Sequence, residues 1–137
     1  MLAMVGTLAE RSGIPASDLC KVFGEWLFPK LARAFDFSVR SHTDAFAFLA
    51  SLDGLIHAEV RKLYPQAELP QVPVTRLDER ELVLEYRSKR PFADVAEGLL
   101  RGALAWFGER AELRREPLEA DADRSARFRL IRKVAAP

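Results

Sequence analysis

The run from Leu82 to Arg90 constrains this chain more than any other stretch. Its side chains alternate between apolar and polar, which predicts a β-strand with one face turned inward. Successive strand side chains point to opposite faces, so Leu82, Leu84, Tyr86, Ser88 and Arg90 share one face. Val83, Glu85, Arg87 and Lys89 share the other. The second set is mostly charged and belongs in water. The first begins as core and then presents a phenol, a hydroxyl and a guanidinium in a row. An inward-facing arginine is unfavourable unless an anion meets it. Two hydroxyls and a fork of N–H donors in line form a receiver for one or two carboxylates. The plainer alternative is that Arg90 pairs with an internal Asp or Glu, with Tyr86 and Ser88 as half-buried strand polars.

Helices precede this strand. Leu2–Arg11 is predicted as a short helix stopped by Ser12-Gly13, with Gly13 in the left-handed conformation. A second helix is predicted over about Ala16–Phe35, with Leu19, Val22, Phe23, Trp26, Leu27 and Leu31 at helical spacing. Pro29 inside it predicts a kink or restart near Trp26–Pro29. Asp36–Arg40 reads as a connector. Ser41-x-x-Asp44 is an acidic variant of the capping box and predicts a helix over about His42–Leu63, with His42 solvated in its first turn. Phe46, Leu49, Leu52, Ile56, Val60 and Leu63 form its apolar face, and His57 falls on the flank of that face at about 100° per residue.

Strands are then predicted at about Val72–Leu77 and Glu81–Lys89. A helix opens at Pro91 and runs to Phe107 with the stripe Val95, Leu99, Ala103 and Trp106, and Gly108 caps it. Two more strands, Ala111–Glu116 and Ser125–Lys133, flank the acidic link Glu119–Asp123. The expected class is α+β: N-terminal helices followed by a four-stranded antiparallel sheet with one inserted helix, β-β-α-β-β.

A chain of 137 residues is expected to form one domain, 1–137, with a real core. The formal net charge is +1, from 21 basic and 20 acidic residues, so nothing steers it toward nucleic acid or an anionic membrane. No apolar run approaches a membrane span, and no basic segment with a cleavage site opens the chain. The single Cys20 excludes an internal disulfide, fits a reducing cytoplasm, and reads as a small core residue. Gly-rich phosphate loops, Gly-x-Ser-x-Gly, His-Glu-x-x-His and cysteine pairs for zinc are absent, so an enzyme is not expected.

Tyr86-x-Ser88-x-Arg90 followed by a helix with Gly98-Leu99-Leu100 resembles the heme nitric-oxide/oxygen-binding family, H-NOX (HNOB). Asp53-Gly54-Leu55-Ile56-His57 with Leu63-Tyr64-Pro65 is similar to that family's proximal-histidine helix and its exit. The resemblance runs from about Leu8 to the end of the chain. It implies heme b, with His57 on the iron and Tyr86, Ser88 and Arg90 on the propionates. Pro70 stands where the family has a proline that presses on the heme. A histidine beside an apolar face is by default a core residue; the ligand reading gains only from the carboxylate receivers. Asp53, one turn earlier, is a candidate partner for the imidazole N–H.

The resemblance also bears on which gas binds. H-NOX proteins that hold oxygen carry a distal tyrosine three residues before the glycine of the helix, and here that residue is Val95. With Val95 and Leu99 on that helix the implied ligands are NO and CO, with oxygen excluded; the plainer reading of both residues is helix-to-sheet packing. The start at Met1-Leu2-Ala3-Met4 resembles the middle of the family pattern, so the N-terminal distal helical subdomain is expected to be lacking. Three consequences compete: a heme open on one face, a homodimer through the open heme face, or loss of heme. The expected function is a cytoplasmic heme-binding NO sensor that passes its signal to a partner such as a histidine kinase, a cyclic-dinucleotide enzyme or a chemoreceptor. The alternative is a heme-free remnant that binds a protein or an acidic small molecule through Arg90.

Overall fold

A proline does not break the first long helix of this chain. In the computed structural model, which describes residues 13–40, 42–66 and 68–133, helix α1 (Ala16–Ala34) continues through Pro29. The predicted helix Leu2–Arg11, the Met1–Met4 start, Ser41 of the capping pattern and the side chain of Ile56 lie outside the described residues. Gly13 has φ +74°, the expected left-handed conformation.

The buried side of α1 is made of Cys20, Gly24, Phe28 and Ala32. The predicted stripe does not bury as a whole: Val22 and Trp26 are 60% and 56% exposed. The reason is the neighbour. Helix α5 (Ala93–Trp106) approaches so closely that a Cβ on Gly24 would sit 2.3 Å from the Val95 carbonyl oxygen, and one on Gly98 2.0 Å from that of Lys21. Such a crossing selects for small residues rather than large apolar ones. The expected restart near Trp26–Pro29 does not occur, since one helix spans Ala16–Ala34.

The predicted connector Asp36–Arg40 is a short helix, α2, with an Asp36–Arg40 ion pair of 2.7 Å across its one turn. Next comes a rod of three parts: α3 (Ala45–Ala50), a π-helical turn (Leu52–Ile56) and α4 (His57–Leu63). Asp44 caps α3 by accepting the Ala47 N–H at 2.8 Å, so the helix starts at Ala45 rather than His42. His42 is not merely solvated: its Nε2 lies 3.1 Å from Ser51 Oγ and its ring meets Phe48 edge-on at 5.8 Å.

The sheet comprises β1 (Val74–Arg76), β2 (Glu81–Arg87), β3 (Ala111–Glu116) and β4 (Ser125–Arg132), all antiparallel in the order β1-β2-β4-β3. With α5 between β2 and β3, the expected α+β class and β-β-α-β-β order hold. Leu82, Leu84 and Tyr86 face inward beside Leu130, Phe128 and Ala126. The outer face neutralises itself: Arg127 pairs with Glu85 at 3.0 Å, and Arg129 with Glu81 at 2.6 Å and Glu116 at 3.0 Å. Phe46, Phe128, Leu49, Leu82, Leu84 and Leu130 are the largest fully buried side chains. Each contributes about 1.5–3 kcal/mol of transfer free energy.

Helix α5 begins at Ala93, two residues past Pro91, and ends at Gly108, whose φ of +64° and N–H bond to Ala105 make the expected stop. Its predicted stripe is corrected at Trp106, which is 41% exposed, while Glu97 is buried with Lys21 and Arg101 each 3.5 Å away. A single stripe does not describe α5, because it is covered by the sheet on one side and α1 on the other.

Candidate functional site

A cavity of about 360 Å³ opens between α1, the rod, α5 and the inner face of the sheet. Four walls enclose it. Phe28, Ala32 and Phe35 come from α1 and its end; Leu49, Leu52, His57 and Val60 from the rod; Ala96, Leu99 and Ala103 from α5; and Leu84, Tyr86 and Phe128 from the sheet. Leu69, Pro70 and Val72 close it along the segment that joins the rod to β1. Nearly all of this lining is apolar, so His57 and Tyr86 are conspicuous.

His57 sits directly after the π-turn, and its backbone N–H donates to the Leu52 carbonyl. Its side chain is largely buried, and Nδ1 is enclosed with no hydrogen-bond partner among the described residues. Asp53 Oδ1 is 3.8 Å away and instead accepts the Val72 N–H at 3.0 Å. Burial lowers the imidazole pKa, the Asp53 carboxylate opposes this, and the Arg61 cation adds to the lowering. The net direction favours neutral imidazole, the form with a lone pair for a metal. Among the described residues no cluster of three or more His, Cys, Asp and Glu gathers to hold a metal ion. One nitrogen donor on an apolar wall therefore suits a metal that brings its equatorial ligands with it.

Tyr86 is buried at the other polar point. Burial raises its pKa, and a hydrogen bond with the Ser88 side chain works against the rise. Ser88 and Arg90 do not share the inward face that strict alternation predicts. The strand ends at Arg87, Ser88 N–H bonds the Arg124 carbonyl, and Ser88 Oγ accepts the Arg90 N–H at 3.1 Å. The turn carries the Arg90 guanidinium outward, 62% exposed, where Nε donates to Glu68 Oε2 at 3.3 Å. The structure thus gathers His57, Pro70, Tyr86 and Leu99 on one cavity. It leaves Ser88 behind Tyr86 and Arg90 outside, paired with a glutamate of the segment that carries Leu69 and Pro70. Val95 does not line the cavity; it packs with Cys20, Leu19, Phe23 and Leu99 in the α1–α5 contact.

Sequence reasoning passed over Phe28, Ala32 and Phe35 as lining, and Glu68 as the partner of Arg90. The spacing of Cys20, Gly24, Phe28 and Ala32 at every fourth residue was the available signal for that face. Nothing local marks Glu68, whose pairing with Arg90 spans 22 positions.

These residues fit heme in kind: an apolar cavity, an imidazole on its wall whose pKa burial lowers, and a buried phenol in its lining. The solved structures resembling the chain include the Fe(II) unliganded H-NOX protein from K. algicida, with 27% identity over 98% of this chain and 72% of that one, at a TM-score of 0.90. An H-NOX protein from S. oneidensis in the Fe(II)NO ligation state matches with 28% identity over 97% and 74%, at 0.89. The H-NOX from Shewanella woodyi in the Fe(II)CO ligation state is 40% identical over 94% and 68%, at 0.77. Among curated proteins none matches. The Haem-NO-binding family, HNOB, matches over residues 1–115. The chain therefore belongs to the HNOB family, the H-NOX domains, a family of heme-based gas sensors.

Proposed function

We propose that residues 1–137 act as one heme b-binding domain that senses nitric oxide, with His57 as the iron ligand. The observation that carries this reading is a largely buried imidazole, its pKa lowered by burial, on the wall of a cavity lined almost wholly by apolar side chains. A bound heme, held by His57, would supply an iron able to take NO or CO. The chain's own residues do the rest. The α1, α5 and sheet walls exclude water, Pro70 and Leu99 bound the cavity, and Tyr86 with Ser88 behind it offers hydroxyls to a carboxylate. For Arg90 to receive a carboxylate as well, its guanidinium must leave Glu68, an exposed pair worth under about 1 kcal/mol. The rod bearing His57 is the element whose movement a cytoplasmic partner would read, a histidine kinase or cyclic-dinucleotide enzyme by family precedent. Among the described residues no helix is long and apolar enough to cross a membrane.

Purified protein with added hemin tests this directly. We expect a Soret band that shifts with NO and is lost in His57→Ala. A protein that stays colourless with hemin overturns the reading and favours a heme-free module whose exposed Arg90 binds an acidic partner.

A further inference from the structure

The rod presents a phase problem. In an uninterrupted α-helix the face carrying Leu49 and Leu52 returns at positions 56 and 60, and position 57 stands about 100° away. Yet Leu49, Leu52, His57, Val60 and Tyr64 all line the cavity. The π-turn resolves it. The bond from His57 N–H to the Leu52 carbonyl spans five residues rather than four, so the turn holds one extra residue and the series resumes in phase at His57. Among the described residues, a side-chain hydrogen bond fastens this turn to the segment before β1. The Asp53 carboxylate accepts the Val72 N–H, and next to Val72, Gln71 exchanges both backbone hydrogen bonds with Arg87 at the end of β2. The same Asp53 oxygen is the polar atom beside His57 Nδ1.

We propose that the extra residue of the π-turn aims His57 into the cavity, and that Asp53 is the positioning residue that holds it there through Val72. The inference deepens the heme reading but rests on that reading only where iron is used as the probe. The Asp53 clip keeps the extra residue on the N-terminal side of His57 in this proposal. When it passes to the other side, the rod up to position 57 becomes plain α-helix and the imidazole turns off the cavity.

Three variants separate this from general destabilisation: Asp53→Ala, Asp53→Asn and deletion of Gly54. Gly54 is exposed, with nothing within 4 Å of where a Cβ would stand, so its removal takes the extra residue out of the turn at a point free of side-chain packing. In heme-free protein, NMR contacts from the His57 ring to Leu52 and Val60 report its direction, and amide exchange at Val72 reports the clip. We expect Asp53→Ala to lose the ring contacts and speed Val72 exchange about tenfold, the equivalent of one hydrogen bond. Asp53→Asn keeps an acceptor and retains the ring contacts. Deletion of Gly54 restores the contacts even in the Asp53→Ala background, because a regular helix then carries the histidine in phase. In hemin-loaded ferrous protein the iron–histidine stretching band follows the same order. Ring contacts and Val72 exchange unchanged in Asp53→Ala overturn the proposal, as does a Gly54 deletion that turns the histidine out. If the parent protein takes up no hemin but the ring contacts behave as described, the heme reading falls and this inference stands.

Discussion

At the scale of the residue, His57 carries the most consequence. Its folded pKa lies below the ordinary 6.5 because burial penalises the imidazolium. The unfolded chain then binds the proton more readily, so stability falls as pH drops below about 6.5 and is level above it. Thermal melts across that range should show this slope, and His57→Leu should flatten it. Oxygen selectivity is a second matter for single residues. The α5 side chains on the cavity, Ala96, Leu99, Leu100 and Ala103, offer no hydrogen-bond donor to a bound gas. A hydrogen bond to partly charged dioxygen contributes on the order of 1 kcal/mol or more. We therefore expect no stable oxy complex from the ferrous protein; a lasting oxy spectrum in air would refute this. Arg90 marks where reading by alternation stopped. Period-two logic holds only while the strand does, and the turn after Arg87 reverses the inward direction assigned to the guanidinium.

At the scale of the element, strands and their order were legible because alternation is a strong signal and inward residues such as Leu82, Phe128 and Leu130 follow it. The helices were legible as helices but not in their buried faces. Apolar counting chose Val22 and Trp26, whereas the contact is built on Gly24 and Gly98, where the absence of a side chain is the signal. Gly98→Ala tests that contact. Its Cβ would meet backbone rather than a side chain that can swing aside, so α1 and α5 must separate. We expect a loss of about 3 kcal/mol in chemical denaturation, the upper end for overpacking. Exposed Gly54→Ala, with open space around it, should show far less. The π-turn was illegible for a different reason: hydrophobic periodicity assumes a constant rise in phase, and one added residue in Leu52–Ile56 moved the register of all that follows.

At the scale of the whole molecule, the site depends on contacts far apart in sequence. Arg132 of β4 reaches Asp44 at 3.3 Å, Glu109 at 2.9 Å and the Glu79 carbonyl at 2.6 Å, with its guanidinium 4.1 Å from the Phe46 ring centroid. It thereby ties the start of the rod to the sheet. No window of sequence contains such a hub, which is why its anchoring of the rod could not be foreseen. Amide exchange should show the resulting contrast: slow in α5 and the facing turns of α1, which pack closely on one another, and faster in the short α4. Equal protection of α4 and α5 would contradict it. The glycine crossing has a directional consequence. Where two backbones already touch, that wall has little room to close further, so a change in the shape of the cavity's contents is expected to move the opposite wall more. We therefore expect a partner that reports the cavity's state to contact exposed Leu63 and Tyr64 at the end of the rod rather than exposed Trp26 on α1.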